Sequence, residues 1–459
     1  IDPSHTLPNL LKASKNNSCS CLVHRPVCSF PALPAPLFPP PPAEIPAKIK
    51  MQAQQDSLVV PESQELDLQF LIVEALQNNP EIQAADFEWD LQRAKIPQAQ
   101  SLDNPELKLM YEEIPGFKFG DAMYSRVELM QMFPFPGKIN LQTELAHIES
   151  EHGHHDHLEK INYVIAKLKM AYIELWFVQQ QMVLNRENAR LTKQFLHIVQ
   201  TKFGVGESSL QDVFKAQIEI AKLDNELLSL RQKELSAKTM LLSILNRKTN
   251  DTLGFATISE EAVFDVSLDS LLNETAQHRP MIMHDSLGIR EGNTMLAMAK
   301  KEYYPDFNVG LQYVHSPVGS FNGWSISAGI TLPFAPWTIG KQNANVEEAN
   351  IFLDKANATL NATRNMVFAN VKDLFYKAEA SKKQLDNFRL NILPQLRKTL
   401  DASLTEYQNG KTNFLMLLDS YRMLVDMTTE YYMKRMEFEQ TLAQLDKEVG
   451  MQNVATVKN

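Results

Sequence analysis

The sequence predicts a mainly α-helical chain with a small transmembrane β part, built from one helix–strand–strand–long helix–helix unit used twice. Three observations carry this. Two runs of helical character, 137–203 and 341–409, far exceed the usual globular helix of about 10–14 residues. A pair of segments alternating apolar and polar residues precedes each run. The same punctuation also recurs at a nearly fixed distance: Pro80, Pro105, Gly137 and Gly206 are echoed by Pro280, Pro305, Gly340 and Gly410, at offsets of 200, 200, 203 and 204. A spacing kept through four markers indicates an internal duplication.

Residues 1–65 read as a flexible lead. Nine prolines fall between Pro26 and Pro46, a composition that favours polyproline II or disorder and buries little. The three cysteines, Cys19, Cys21 and Cys28, all lie here, so the patterned part uses no disulfide. No apolar signal core precedes them, and a lipid anchor on Cys19 or Cys21 is not expected. The 459 residues are 44% hydrophobic, ample for a large core, and carry a net charge of -10. An acidic chain with no basic block is a poor nucleic-acid binder. No stretch of about 18 consecutive apolar residues predicts a membrane-spanning helix, which leaves a β-barrel open.

Four segments follow the lead: a first repeat at 66–250, a linker at 251–267, a second repeat at 268–450 and a tail at 451–459. In the first repeat, Leu66, Phe70, Val73 and Leu76 recur at helical spacing, and Asn78-Asn79-Pro80 ends that short helix. Pro80 suits the first turn of the next helix, to about Gln100, whose end Pro97 is expected to fray. Strands are expected at 105–114, where Leu107, Leu109 and Tyr111 alternate with Lys108, Met110 and Glu112, and at 123–133. The first long run has one glycine after its start, Gly153, and no proline; about 66 residues make a rod of roughly 100 Å. Beyond Gly204-Val205-Gly206, Val213, Ile220 and Leu227 form one heptad series and Ala216, Leu223 and Leu230 another, which predicts coiled-coil packing on the rod.

The second repeat is cleaner. Phe307, Val309, Leu311 and Tyr313 alternate with Asn308, Gly310 and Gln312; Trp324, Ile326, Ala328, Ile330 and Leu332 alternate with small or polar residues. Pro394 is the expected kink in the second rod, and Phe414, Leu417, Leu418, Tyr421, Leu424 and Val425 stripe the last helix. Each strand approaches the length of about 9–11 residues that crosses a bilayer when tilted. Four strands cannot close a barrel, and open edges are not tolerated in lipid. Several chains therefore share one barrel, or the strands belong to a soluble sheet; the duplicated rods favour sharing.

Ala75-Leu76-Gln77-Asn78-Asn79-Pro80-Glu81-Ile82, Phe135-Pro136-Gly137-Lys138, Phe203-Gly204-Val205-Gly206 and Tyr407-Gln408-Asn409-Gly410 resemble, in order and spacing, the TolC-type outer-membrane efflux channels. The Phe-Pro-Gly-Lys junction looks most like the heavy-metal branch, the outer channels of copper/silver or cobalt/zinc/cadmium pumps. The resemblance covers about 66–449. It implies a homotrimer whose chains each give four strands to a twelve-stranded β-barrel in outer-membrane lipid, continued by a long periplasmic α-helical tunnel. It implies passive export, with a periplasmic adaptor protein and an inner-membrane pump as partners, and no catalysis or cofactor. The turns near Gly206 and Gly410 would form the channel mouth. Asp212 and Tyr407 match positions that link neighbouring helices there, and Asp419 matches an acidic constriction ring. Met416 stands where that family's best-known member has a second aspartate, and Thr412 replaces a basic gate residue, with Lys411 beside it.

His147, His152, His154, His155 and His157 form the most conspicuous cluster, on the first rod. Imidazoles suit zinc, copper and nickel. The pattern fits either a solvated helix face or a metal-contacting one. No HExxH or cysteine-based zinc spacing is present, which argues against a metal-dependent enzyme. The 19 methionines read mainly as core filler. A periplasmic coiled-coil scaffold or adaptor without a channel is the other class the rods allow; it has no use for two-faced strands of membrane length.

Overall fold

A computed structural model describes residues 65–112, 124–259, 263–316 and 322–450. The proline-rich lead with its cysteines, residues 113–123, 260–262 and 317–321, and the tail lie outside the described residues.

The first repeat comprises β1 (Glu65–Leu66), α1 (Leu68–Asn78), α2 (Pro80–Gln100), β2 (Glu106–Glu112), β3 (Tyr124–Phe133), α3 (Lys138–Gly204) and α4 (Leu210–Ile244). The second comprises β4 (Phe255–Ala256), α5 (Leu268–His278), α6 (Pro280–Lys301), β5 (Phe307–His315), β6 (Asn322–Ile330), α7 (Ile339–Asn387), α8 (Leu393–Gln408) and α9 (Phe414–Val449). The order of elements is the same in both, except that the second long rod is divided into α7 and α8.

Short helices open each repeat. Asn79 stops α1 and starts α2: its Oδ1 accepts from Glu81 N at 2.8 Å and Ile82 N at 3.2 Å, an N-cap ahead of Pro80 in the first turn. α1 turns a different face inward from the one its spacing suggests. Leu71, Ile72 and Ala75 are buried, whereas Phe70 and Val73 are exposed. The helix carries two apolar stripes, and the core against α3 selects one of them. Pro97 does not fray α2, which continues to Gln100; Ser101 Oγ closes that end on the Pro97 carbonyl at 2.9 Å. The segment expected as a plain linker holds β4, which pairs in parallel with β1. Tyr172 of α3 pins this pair: its hydroxyl donates toward the Leu66 carbonyl at 2.7 Å and accepts from Thr257 N at 2.9 Å.

The first rod is α3, 67 residues long. α4 packs along it by the two heptad series, with Val213, Ala216, Leu223 and Leu230 buried and Ile220 and Leu227 half-buried. In the second rod a π-helical turn at Phe388–Ile392 precedes Pro394, which stands in the first turn of α8. Proline donates no amide hydrogen bond to the preceding turn, and the widened turn absorbs this. On α9, Phe414, Leu417, Leu418 and Tyr421 are buried. Among the described residues, no helix is long and apolar enough to cross a membrane.

Candidate functional site

The four long strands form one antiparallel sheet in the order β2-β3-β5-β6. Its register sorts residue types by face. Leu107, Leu129, Leu311 and Ile326 stand abreast, as do Leu109, Val127, Tyr313 and Trp324. Among the described residues nothing covers this face: Ile326 is 79% exposed and Trp324 70%. On the opposite face Lys108, Glu128, Gln312 and Ser325 stand abreast. There, a Cβ at Gly310 would lie 2.5 Å from Ser327 Oγ, so glycine keeps this face open for its neighbour. Among the described residues, strands β2 and β6 leave an unpaired edge on each side.

The Phe135-Pro136-Gly137-Lys138 junction docks on the second repeat. Gly137, at φ +90°, makes the left-handed turn into α3. Asp306, just ahead of β5, accepts from Phe135 N at 2.7 Å and from Lys138 Nζ at 2.7 Å. Phe135 stacks on Tyr304 with 4.6 Å between centroids. In the sequence Pro305 stands out as an echo of Pro105; the role of its neighbour Asp306 as acceptor for Lys138 of the other repeat, 168 residues away, carried no signal.

At the far end of the rods the two turns share one construction. Glu207 N donates to the Lys202 carbonyl at 2.8 Å and Lys411 N to the Glu406 carbonyl at 2.9 Å, around glycines at φ +80° and +70°. Ser209 and Asn413 then cap α4 and α9. Asp212 forms a capping box with Ser209, whose Oγ donates to it at 2.8 Å. Ser208 Oγ lies 3.3 Å from Asp212 Oδ2 and 3.5 Å from Tyr407 Oη, so it bridges the two residues singled out by their distance from the glycines. Tyr407 itself is buried, with Lys202 Nζ over its ring. Met416 and Asp419 are exposed on one face of α9. Two further links between the helix pairs had no sequence signal: Arg422 of α9 donates to Glu219 of α4, and Tyr421 lies 3.1 Å from Thr192 Oγ1 of α3. Arg422 and Lys222 hold the Glu219 carboxyl below its ordinary value against the opposing effect of burial.

The five clustered histidines separate. His147 is exposed. His154 packs on Trp89 of α2 at 4.5 Å, and His157 lies 5.8 Å from the same ring. His152 turns to α6, where its ring meets His284 edge-on at 4.3 Å. Burial, reinforced by neighbouring imidazoles, pushes His154 and His155 below the ordinary histidine range. Among the described residues, no group of three or more His, Cys, Asp or Glu side chains is placed so that it could hold a metal ion. His284 escaped sequence reasoning because it belongs to no local run of histidines.

Comparisons with known proteins agree with this geometry. The chain is 20% identical over 367 residues to the cobalt-zinc-cadmium resistance protein CzcC of Cupriavidus metallidurans, covering 80% of this chain and 85% of that protein. It is 21% identical over 271 residues to the cation efflux system protein CusC of Escherichia coli K12, covering 57% and 58%. A solved structure of CusC superposes with a TM-score of 0.72 at 17% identity, over 84% of this chain and 92% of that one. The outer membrane protein VceC of Vibrio cholerae gives 0.69 at 17%, over 84% and 96%. The profile of the outer membrane efflux protein family matches residues 71–247 and 271–451. The chain therefore belongs to the outer membrane efflux protein family, a family of channels with a periplasmic helical tunnel and not of enzymes.

Proposed function

We propose that three copies of this chain close one twelve-stranded barrel in the outer membrane and serve as the passive exit duct of a tripartite pump that exports heavy-metal cations. One observation carries the channel reading: a four-stranded sheet with an uncovered apolar face, a polar opposite face and two open edges. In lipid the apolar face needs no cover, but the edges do. Pairing β6 of one copy with β2 of the next satisfies both edges, and three such steps return to the start. A scaffold without a channel gives the uncovered face no use.

Energy comes from an inner-membrane pump through a periplasmic adaptor protein, as membership of the outer membrane efflux protein family supports. The ends of the helix pairs form the periplasmic mouth. There Asp212 and Tyr407 link helices through Ser208, and three copies of Asp419 make a cation-favouring ring, with Met416 beside it. The likeness to CzcC and CusC, whose names are those of metal-resistance and cation-efflux proteins, supports heavy metals as the cargo.

Two measurements test this reading. Detergent-purified protein is expected to have the mass of three chains and to conduct ions in a planar bilayer; a monomer that needs no detergent overturns the channel. A deletion strain is expected to be sensitive to one or more of copper, silver, zinc, cobalt, nickel and cadmium, with rescue by the intact gene. Sensitivity to drugs alone overturns the metal cargo and leaves the channel.

A further inference from the structure

The polar face of the four-stranded sheet is charged on one half only. On β5 and β6 it consists of Asn308, Gly310, Gln312 and Val314, and of Gly323, Ser325, Ser327 and Gly329, with no ionisable side chain. On β2 and β3 it holds Glu106, Lys108, Glu112, Arg126 and Glu128. Three carboxylates against two cations leave one excess negative charge per chain on this face, among the described residues.

Ion pairing decides which carboxylate is left over. Lys108 Nζ lies 3.0 Å from Glu106 Oε2, along its own strand. Arg126 Nη2 donates to Glu112 Oε2 at 3.1 Å, and the Gln312 side-chain oxygen accepts from Nε and Nη1 of the same guanidinium. Both cations are thereby engaged. Glu128 stands level with Lys108 yet has no ion-pair partner among the described residues. Its carboxylate leans the other way, over Gly310, where a Cβ would lie 3.3 Å from Glu128 Oε1. Glycine at 310 makes room for the carboxylate and leaves it open toward the neutral half of the face.

We propose that Glu128 is a selectivity residue of the barrel: one copy from each chain sets a negative potential in the lumen that favours cations over anions. This rests on reading the polar face as the lumen of a three-chain barrel. Where β6 of one copy meets β2 of the next, the incoming strand brings only Gly323, Ser325, Ser327 and Gly329 to this face, so its described residues add no cation to neutralise the charge. Glu128 acts as a fixed charge and need not touch the ion. It therefore ranks cations against anions, and not one metal against another. It stands in the sheet, whereas Asp419 stands on α9 near the far end of the rods, so the duct carries two separate charge filters.

The test is the reversal potential of the full chain in a planar bilayer under a KCl gradient around 0.1 M, where the screening length is about 10 Å. The native channel is expected to prefer potassium over chloride. In an Asp419→Asn background, Glu128→Gln, which keeps side-chain size, is expected to bring the two permeabilities close to equal, and Glu128→Lys to reverse the preference. The double variant Glu106→Gln with Lys108→Gln removes a pair and keeps the excess charge, so it is expected to retain the selectivity of its background. Near about 1 M salt, where the screening length is about 3 Å, the preference should fade. A native preference for chloride, selectivity unchanged in both Glu128 variants, or an equal loss in the pair variant overturns the assignment. Failure of the channel reading looks different: a native chain that does not conduct overturns the barrel and Glu128 with it, whereas a conducting chain indifferent to residue 128 keeps the barrel and removes Glu128.

Discussion

Asn79 and Arg279 do the same work in the two repeats. Each precedes the proline that opens a helix, and each donates from its side chain to a backbone carbonyl at the end of its own repeat's last helix. Asn79 Nδ2 reaches Ile244 O at 2.7 Å; Arg279 reaches Lys447 O. The duplicated unit thus closes head to tail twice, with different chemistry. Asn79 also caps α2, whereas Arg279, with its side chain 3% exposed, adds ion pairs to Glu159 and Glu448.

Removing each residue should cost different amounts. Asn79→Ala loses a cap and leaves a buried carbonyl unpaired, a cost of about 2 kcal/mol. Arg279→Ala strips a buried cation from two carboxylates and a carbonyl, a cost of about 3–5 kcal/mol. Denaturation of the detergent-solubilised protein should show the arginine variant as the less stable. Equal losses would mean that Arg279 acts only as a carbonyl partner.

Asp306 should control order at the base of the sheet. It holds both the Phe135 amide and the Lys138 ammonium, so Asp306→Ala leaves one amide and one half-buried charge without their acceptor. Hydrogen exchange at Phe135 should speed up markedly, while exchange in the middle of α3, at Leu168 and Leu175, should not change. Exchange left unaltered at Phe135 would show that stacking on Tyr304 alone fixes the junction.

The Arg422–Glu219 pair joins α9 to α4 near the proposed mouth. Arg422→Ala and Glu219→Ala should each raise bilayer conductance, and the charge swap Glu219→Arg with Arg422→Glu should restore the native value. Higher salt should raise native conductance beyond the bulk-conductivity change, because the arginine end is about half exposed and screenable. Equal conductance in all variants would show that the pair does not restrain the mouth.

How much could be read in advance follows from distance along the chain. The long helices were legible because 67 residues without proline leave few alternatives, and the caps were legible because Asn79 and Pro80 act on adjacent amides. The two-faced strands were legible from alternation. The pairing of β3 with β5 was not, since it joins Val127 to Tyr313 and depends on both repeats having folded together. The buried face of α1 was not legible because Phe70 and Val73 are as apolar as Leu71 and Ile72, and only the position of α3 decides between them. Asp212 and Tyr407 were singled out by the family resemblance, but Ser208, which lies between them, carried no signal. The histidine run was visible as composition; its division between Trp89 and His284 was set by helices that the sequence cannot orient.

The buried imidazoles should make stability depend on pH in a defined direction. Burial holds His154 and His155 below the ordinary value of about 6.5, so the unfolded chain binds protons more readily than the folded one between those limits. Their contribution is therefore fully present above about pH 6.5 and is lost as pH falls toward the depressed folded values. Carboxylates nearby temper this: Glu151 raises His155, although the imidazoles of His154, His284 and His152 oppose it. Melting midpoints should fall between pH 7.5 and pH 5.5, and the double variant His154→Gln with His155→Gln should flatten that fall. The comparison is made within one protein pair because Glu439, whose carboxyl burial pushes above its ordinary value, contributes with the opposite sign on the acid side and is common to both. An equal fall in the double variant would place the acid sensitivity elsewhere in the chain and leave these two histidines as packing residues against Trp89 and their neighbours.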